Sequence, residues 1–264
     1  MFIGNKQIIW IIFALAVLIA LATNFMVVEE GFVWQTESDS HSNVLEYINR
    51  QEKAKDKIEE IEDIVVKEEI IKQVLFEVPF LVQAPTGEWD DPRFQDACEE
   101  AAVIMAWHWI LGDKELTTDQ AQGEILDLVD WQIKRHGNYT DTSATSTAQL
   151  MKDYYGYGQV EAKEIKGFEE IKQELLNGNL VIVPADGRVI GNPYYTPPGP
   201  KRHMIVVIGY DNETREFVTN DAGTKRGEGY RYDYVKFFNG IRDYPTGDHQ
   251  EIKEVNKTMI VVSK

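Results

Sequence analysis

VPFLVQAPTGEWDDPRFQDACEEAAVIMAWHW, residues Val78–Trp109, is the stretch around which the rest of the chain is organised. It holds the only cysteine of the sequence, Cys98, and an apolar run of helical spacing begins directly after it. Ala101, Ala102, Met105 and Trp109 follow at three, four, seven and eleven positions, on the helical face of the cysteine. The small residues come first, so another element can approach the helix closely near its start. A cysteine in a first helical turn sits among unpaired backbone N–H groups at the positive end of the helix dipole, which favours a thiolate. The same residue is equally explained as a small buried hydrophobe. Only a partner base makes it a nucleophile.

Around this helix the pattern predicts first helices and then strands. Leu75–Val82 reads as a short strand, closed by the turn-forming residues Ala84–Gly87. Beyond the cysteine helix, Leu116–Thr118 marks the start of a helix reaching about Lys134. The polar segment His136–Thr147 reads as a loop, and Ala148–Tyr155 as a short helix. Phe168–Leu176 is a further helix, stopped by Asn177-Gly178. Leu180–Pro184, Met204–Tyr210, Glu216–Asn220 and Thr258–Val262 are apolar or β-branched runs between turn signals. Helices followed by an antiparallel sheet is an α+β arrangement.

Five histidines compete to be the base. His41 lies in a charged segment far upstream. His108 is ten residues along the cysteine helix, about 15 Å away and off its face. His136 ends a helix, where a cation suits the dipole, and His249 lies in a polar loop near the C-terminus. His203 differs from these: it opens HMIVVIGYD directly after a loop, Asp186–Arg202, that contains four prolines. The next strand, REFVTND, ends at Asn220 and Asp221. A hairpin through Asp211–Thr214 returns that end to His203, where an amide or carboxylate can orient the imidazole. A strand-edge histidine beside a turn-forming Asn-Asp pair accounts for the same residues.

Composition bounds the rest. At 264 residues the chain can bury a sizeable core, and its hydrophobic share of 43% is ordinary for a globular protein. A net charge of −17 argues against a nucleic-acid partner, which needs a basic surface. One cysteine excludes an intramolecular disulfide and any cysteine-pair zinc motif. No metal or organic cofactor is implied, and the acidic surface contains no EF-hand pattern.

The N-terminus sets the compartment. Lys6 precedes an uncharged run, Ile8–Ala22, and apolar character resumes at Phe25–Val28, together about bilayer length. Ala20-Leu21-Ala22 fits a signal-peptide cleavage site; left uncut, the segment 1–28 is an anchor, and this is the favoured reading. The one nearby basic residue precedes the run and Glu29-Glu30 follow it, so the N-terminus stays in the cytoplasm and the rest is exported. Residues 29–75 hold thirteen acidic against six basic residues, no proline and one glycine. They read as a charged helical stalk or a partly disordered linker. The domain proper then spans 76–264.

The order of these pieces resembles the papain-like cysteine peptidases, and most closely the C39-like peptidase family. The matching residues are Val-Pro-Phe-x-x-Gln at 78–83, Cys-Glu-x-Ala at 98–101, the strand from His203 to Asp211, and Asn-Asp at 220–221. The resemblance implies a papain-like α+β fold with a helical half packed on an antiparallel sheet. It implies Cys98 as nucleophile, His203 as base, Asp221 as orienting acid and Gln83 as oxyanion donor. Gln95 lies nearer the cysteine, Asn220 adjoins Asp221, and both remain alternatives. Peptide or protein is then the substrate, cleaved outside the cytoplasm at a membrane reached through the N-terminal helix. The loop Gly187–Pro200, with Tyr194 and Tyr195, is expected to line the cleft. Two other functions fit the same residues: an inactive peptide- or cell-wall-binding module, and a thiol amidase or acyltransferase acting on cell-wall amides.

Overall fold

The computed structural model describes residues 46–55, 57 and 71–264. Residues 46–55 are helical. The apolar run at 8–28 and most of the stalk lie outside the described residues. Among the described residues, no helix is long and apolar enough to cross a membrane. The remainder falls in a separate compact unit, Glu68–Lys264.

In chain order this unit runs β1 (Gln73–Leu75), α1 (Pro92–Gln95), α2 (Cys98–Leu111), α3 (Thr118–His136), α4 (Ala144–Tyr155), β2 (Val160–Glu164), α5 (Phe168–Leu176), β3 (Leu180–Ala185), α6 (Gly187–Ile190), β4 (His203–Asp211), β5 (Glu216–Asn220), β6 (Tyr230–Asp233), α7 (Tyr234–Gly240) and β7 (Thr258–Val262). The strands form one antiparallel sheet of order β2-β7-β3-β4-β5-β6, with β1 paired to the far half of β4. This is the expected α+β class.

The sheet carries helices on both faces. Leu180, Ile182, Met204, Val206, Ile260 and Val262 pack with the buried residues of α2, α3 and α4. Their neighbours Val181, Val183, Ile205, Val207, Met259 and Val261 pack with Ile171 and Leu175 of α5 and Phe237 of α7. Successive strand residues point to opposite faces. With both faces covered, β3, β4 and β7 read as continuous apolar runs, without the alternation of a half-exposed sheet.

Helix α2 is buried on every side over its first nine residues, including Glu99 and Glu100. Its apolar stretch ends where Gly112 takes a left-handed C-cap conformation at φ 84°. Helix α3 opens with a Thr117–Gln120 capping box. Helix α4 begins at Ala144, four residues before the pattern suggests, because Ser143 caps it and Ala144 and Thr147 are buried. The strand expected over Leu75–Val82 stops at Leu75. Beyond Phe76, whose N–H donates to Ile208 O, the chain continues without a ladder past Pro79, which has no N–H to give. Gln83 rejoins the sheet end through its N–H to Ala222 O, 3.0 Å.

Candidate active site

Cys98, the first residue of α2, meets the head of β4. The Met204 backbone N–H lies against the sulfur, one residue from His203. Cys98 and His203 line the same cleft, a cavity of about 290 Å³ that also takes in Gln83, Gln95, Tyr195 and Gly223. The hairpin between β4 and β5 pairs Val206 with Asn220 and so brings Asp221 back to His203. His203 Nε2 lies 2.7 Å from Asp221 Oδ1. An ionised carboxylate accepts only, so Nε2 carries a proton and donates it to Oδ1, which leaves Nδ1 as the ring nitrogen for the cysteine.

Asp221 is fully buried and accepts five hydrogen bonds. Oδ1 takes His203 Nε2 and the Gly223 N–H. Oδ2 takes Tyr195 OH at 2.5 Å, Tyr232 OH at 2.6 Å and Asn192 Nδ2 at 3.0 Å. Burial works against ionisation, but the charge and hydrogen bond of His203 and the two tyrosine hydroxyls outweigh it and bring the carboxyl down to about 2. Neighbouring Asn220 turns its amide to Val78 O at 3.1 Å and accepts from Gly229 N–H, so it ties the strand end to the segment leading into Gln83. Asp221 therefore holds the position beside the imidazole and Asn220 does not.

Two glycines make this close packing possible. A Cβ on Gly223 would stand 2.9 Å from His203 Cε1, and one on Gly227 would stand 1.8 Å from Asp221 O. The loop Ala222–Gly229 can wrap the buried pair only because these two positions carry no side chain.

On the cysteine side the environment is acidic. Cys98 Sγ donates to Glu99 Oε2 at 2.9 Å. Glu99 Oε1 accepts from Tyr244 OH at 2.9 Å and from the Thr142 N–H at 3.1 Å. Burial, then the charge and hydrogen bond of Glu99, then Glu100, hold the thiol well above its usual range; the Met204 N–H opposes them. Burial and the Glu99 charge push Glu100 up to about 8. Glu100 accepts from Gln132 Nε2 through Oε1, while Oε2 has no partner. In this state the thiol is neutral and its proton points at Glu99.

Gln83 is buried beside the cysteine, with its Nε2 donating to Phe94 O at 3.0 Å and Gln95 O at 2.7 Å. Both amide hydrogens are thus engaged by the turn that leads into α2. Gln95 is exposed at the end of α1 and also lines the cleft. The proline-rich loop reaches the site as expected: Tyr195, Thr196 and Pro200 line the cleft. Asp96 and Asp141 line it too, with Arg202 Nε 3.4 Å from Asp141.

Of the other histidines, His41 lies outside the described residues, and His108, His136 and His249 do not line the cleft. His108 pairs with Asp113 and Glu124, 2.8 and 2.9 Å away, and links the end of α2 to α3. His249 Nδ1 is 2.8 Å from Asp141 Oδ2. The partners Asn192, Tyr195 and Tyr232 of the buried carboxylate, and Glu99 at the thiol, had no spacing signal. The adjacency of Glu99 to Cys98 was the one cue available. Among the described residues no group of three or more His, Cys, Asp or Glu is placed to hold a metal ion.

Comparison with solved structures finds a Bacillus anthracis protein described as a C39-like peptidase. It is 15% identical, with a TM-score of 0.48, over 74% of this chain and 98% of that one. No curated protein matches. The model of the Peptidase_C39 like family matches residues 75–249, which covers the cysteine helix, the His203 strand and the buried carboxylate. The chain belongs to the Peptidase_C39 like family.

Proposed function

We propose that the protein is a cysteine peptidase that hydrolyses peptide bonds through Cys98, His203 and Asp221. The observation that carries this reading is the buried His203–Asp221 pair opening onto the cleft that holds Cys98. In the reaction, Cys98 turns from Glu99 to His203 and gives its proton to Nδ1. The sulfur attacks the substrate carbonyl carbon, and the electron pair of the C=O moves onto oxygen. The oxyanion then faces the first-turn N–H groups of α2, and Gln83 once it releases one of its two carbonyls. As the C–N bond breaks, the imidazolium donates its proton to the leaving amine. Water, deprotonated by His203, then releases the acyl group and restores the thiol. Asp221 keeps the imidazole in the required tautomer and stabilises its cation.

The apolar run at 8–28, uncut, would anchor the chain in the membrane with residues 29–75 as a stalk and the peptidase domain outside the cytoplasm. This part of the proposal rests on sequence, namely the bilayer-length uncharged run after Lys6 and the acidic residues that follow it.

A second reading, a peptide-holding module without turnover, is favoured by one observation: the thiol is buried and neutral, hydrogen-bonded to Glu99. Labelling with a peptide-like thiol electrophile separates the two. Fast labelling near neutral pH that collapses in His203→Ala supports the peptidase. Slow labelling, equal in both proteins, supports the binding module.

A further inference from the structure

A second cavity, of about 370 Å³, adjoins the cleft and shares Trp89, Thr196 and Gly223 with it. It therefore begins at the back of the His203 ring, against which Gly223 packs. Its other walls are Tyr194, Thr224, Lys225 and Arg226. The Arg226 guanidinium lies over the Tyr194 ring at 4.7 Å. Stacking occupies the face of the guanidinium and leaves its in-plane N–H fork free. Lys225 Nζ, on the same loop, lies 3.4 Å from where a Cβ on Gly87 would be. Among the described residues, neither cation forms an ion pair. The protein as a whole carries a charge of −17, so its long-range field repels anions, and an anion binds only where cations are concentrated locally. The other flank of the cleft carries Asp96 and Asp141, the latter paired with Arg202.

Resting on the peptidase reading, we infer that this cavity is a specificity pocket for a carboxylate of the substrate close to the scissile bond. Lys225 and Arg226 take the charge, while Trp89 and Tyr194 cover the neighbouring apolar atoms. An Arg fork and a Lys point charge in one cavity suit a planar carboxylate, which can accept from both. Two sources supply that group, an Asp or Glu side chain and a free chain end.

Binding to the full-length Cys98→Ala protein in detergent tests this independently of turnover. Three rhodamine-labelled peptide libraries are compared by fluorescence anisotropy: Glu at one fixed position with an amidated end, Gln there with an amidated end, and Gln with a free carboxyl end. At least one acidic library is expected to bind about tenfold tighter than the neutral one, the gain of a charge-assisted hydrogen bond. Preference for the first identifies a side chain, and preference for the third identifies a chain end. The charge reversal Lys225→Glu/Arg226→Glu, at two exposed positions, is expected to abolish or invert the preference while the thermal melt stays unchanged. Equal binding of all three libraries, binding of none, or a preference that survives charge reversal would overturn the assignment. Hydrolysis of neutral peptides by the unmodified protein without any acidic preference overturns the pocket alone. A preference without any hydrolysis overturns the peptidase reading alone.

Discussion

Replacing Glu99 by Gln removes a carboxylate from the thiol while keeping the shape of the site. The carbonyl oxygen of the glutamine can keep the bonds from Tyr244 OH and the Thr142 N–H, and its amide takes the place of Oε2 beside Sγ. A full negative charge 2.9 Å from the sulfur, at an effective dielectric constant of about 20, disfavours the thiolate by about 6 kcal/mol. Burial holds Glu99 itself above the ordinary carboxyl range, so the carboxylate exerts only part of that effect. Recovery of half of it, about 3 kcal/mol, raises the thiolate population roughly a hundredfold. The less basic thiolate is a weaker nucleophile, which returns roughly a factor of ten. Iodoacetamide should therefore alkylate Glu99→Gln about tenfold faster than the parent at pH 7, and its rate–pH profile should move to lower pH. Cys98 is the only cysteine, so total alkylation reports this one site. An unchanged or slower profile would refute the claim that Glu99 holds the thiol neutral. If Glu99 rather than His203 were the proton acceptor, the same substitution would abolish peptide cleavage.

Further expectations concern the supports of the site. Gln83→Ala should lower kcat by about 10²–10³ with little change in KM; an equal loss in binding of substrate to Cys98→Ala would instead mark Gln83 as a scaffold of the turn before α2. Gly227→Ala, which puts a methyl 1.8 Å from Asp221 O, should destabilise the Ala222–Gly229 loop and abolish electrophile labelling, whereas Gly229→Ala, with nothing within 4 Å, should keep labelling despite its strained positive φ. Tyr232→Phe removes one of three donors to Asp221 Oδ2 and should lower stability by about 1.5–3 kcal/mol in denaturant melts. Glu100 has a folded pKa raised from 4.5 to about 8, so the folded state holds the extra proton and stability should fall as pH rises between those values. Glu100→Gln should flatten that slope in melts from pH 5 to pH 8, and a slope that persists would show that other groups cause it. Removing residues 1–28 should leave a folded protein that no longer sediments with membranes; unfolding on truncation would make that run part of a core.

The strands β3, β4 and β7 were legible because each is dominated by an unbroken apolar run, and burial on both faces of the sheet is what made them so. Phe168–Leu176 and Glu216–Asn220 have in the structure the bounds that their turn signals give. β2 (VEAKE) and β6 (YRYD) lay hidden, since edge strands with one exposed side carry charges that mimic a loop. Helices on the second face were only partly visible, because α7 (YVKFFNG) has no run long enough to show a period. Local context alone left His203 open to a plain strand-edge reading. The family resemblance is what grouped Cys98, His203 and Asp221, and the structure brings Cys98 and His203 to one cleft with Asp221 behind the imidazole. The ring of donors around Asp221 could not be read from sequence, because Asn192, Tyr195 and Tyr232 come from a loop and an edge strand that only the folded chain brings together. The acidic hold on the thiol was half legible. Glu99 and Glu100 stand next to Cys98 in sequence, but only burial turns an exposed charge pair into a strong perturbation.

Hydrolysis of a peptide library in ¹⁸O-labelled water tests the central claim most directly. The full-length protein should generate new C-termini carrying one ¹⁸O atom, and Cys98→Ala and His203→Ala should generate none. Intact peptides after exposure to the parent protein, or cleavage that persists in Cys98→Ala, would contradict it.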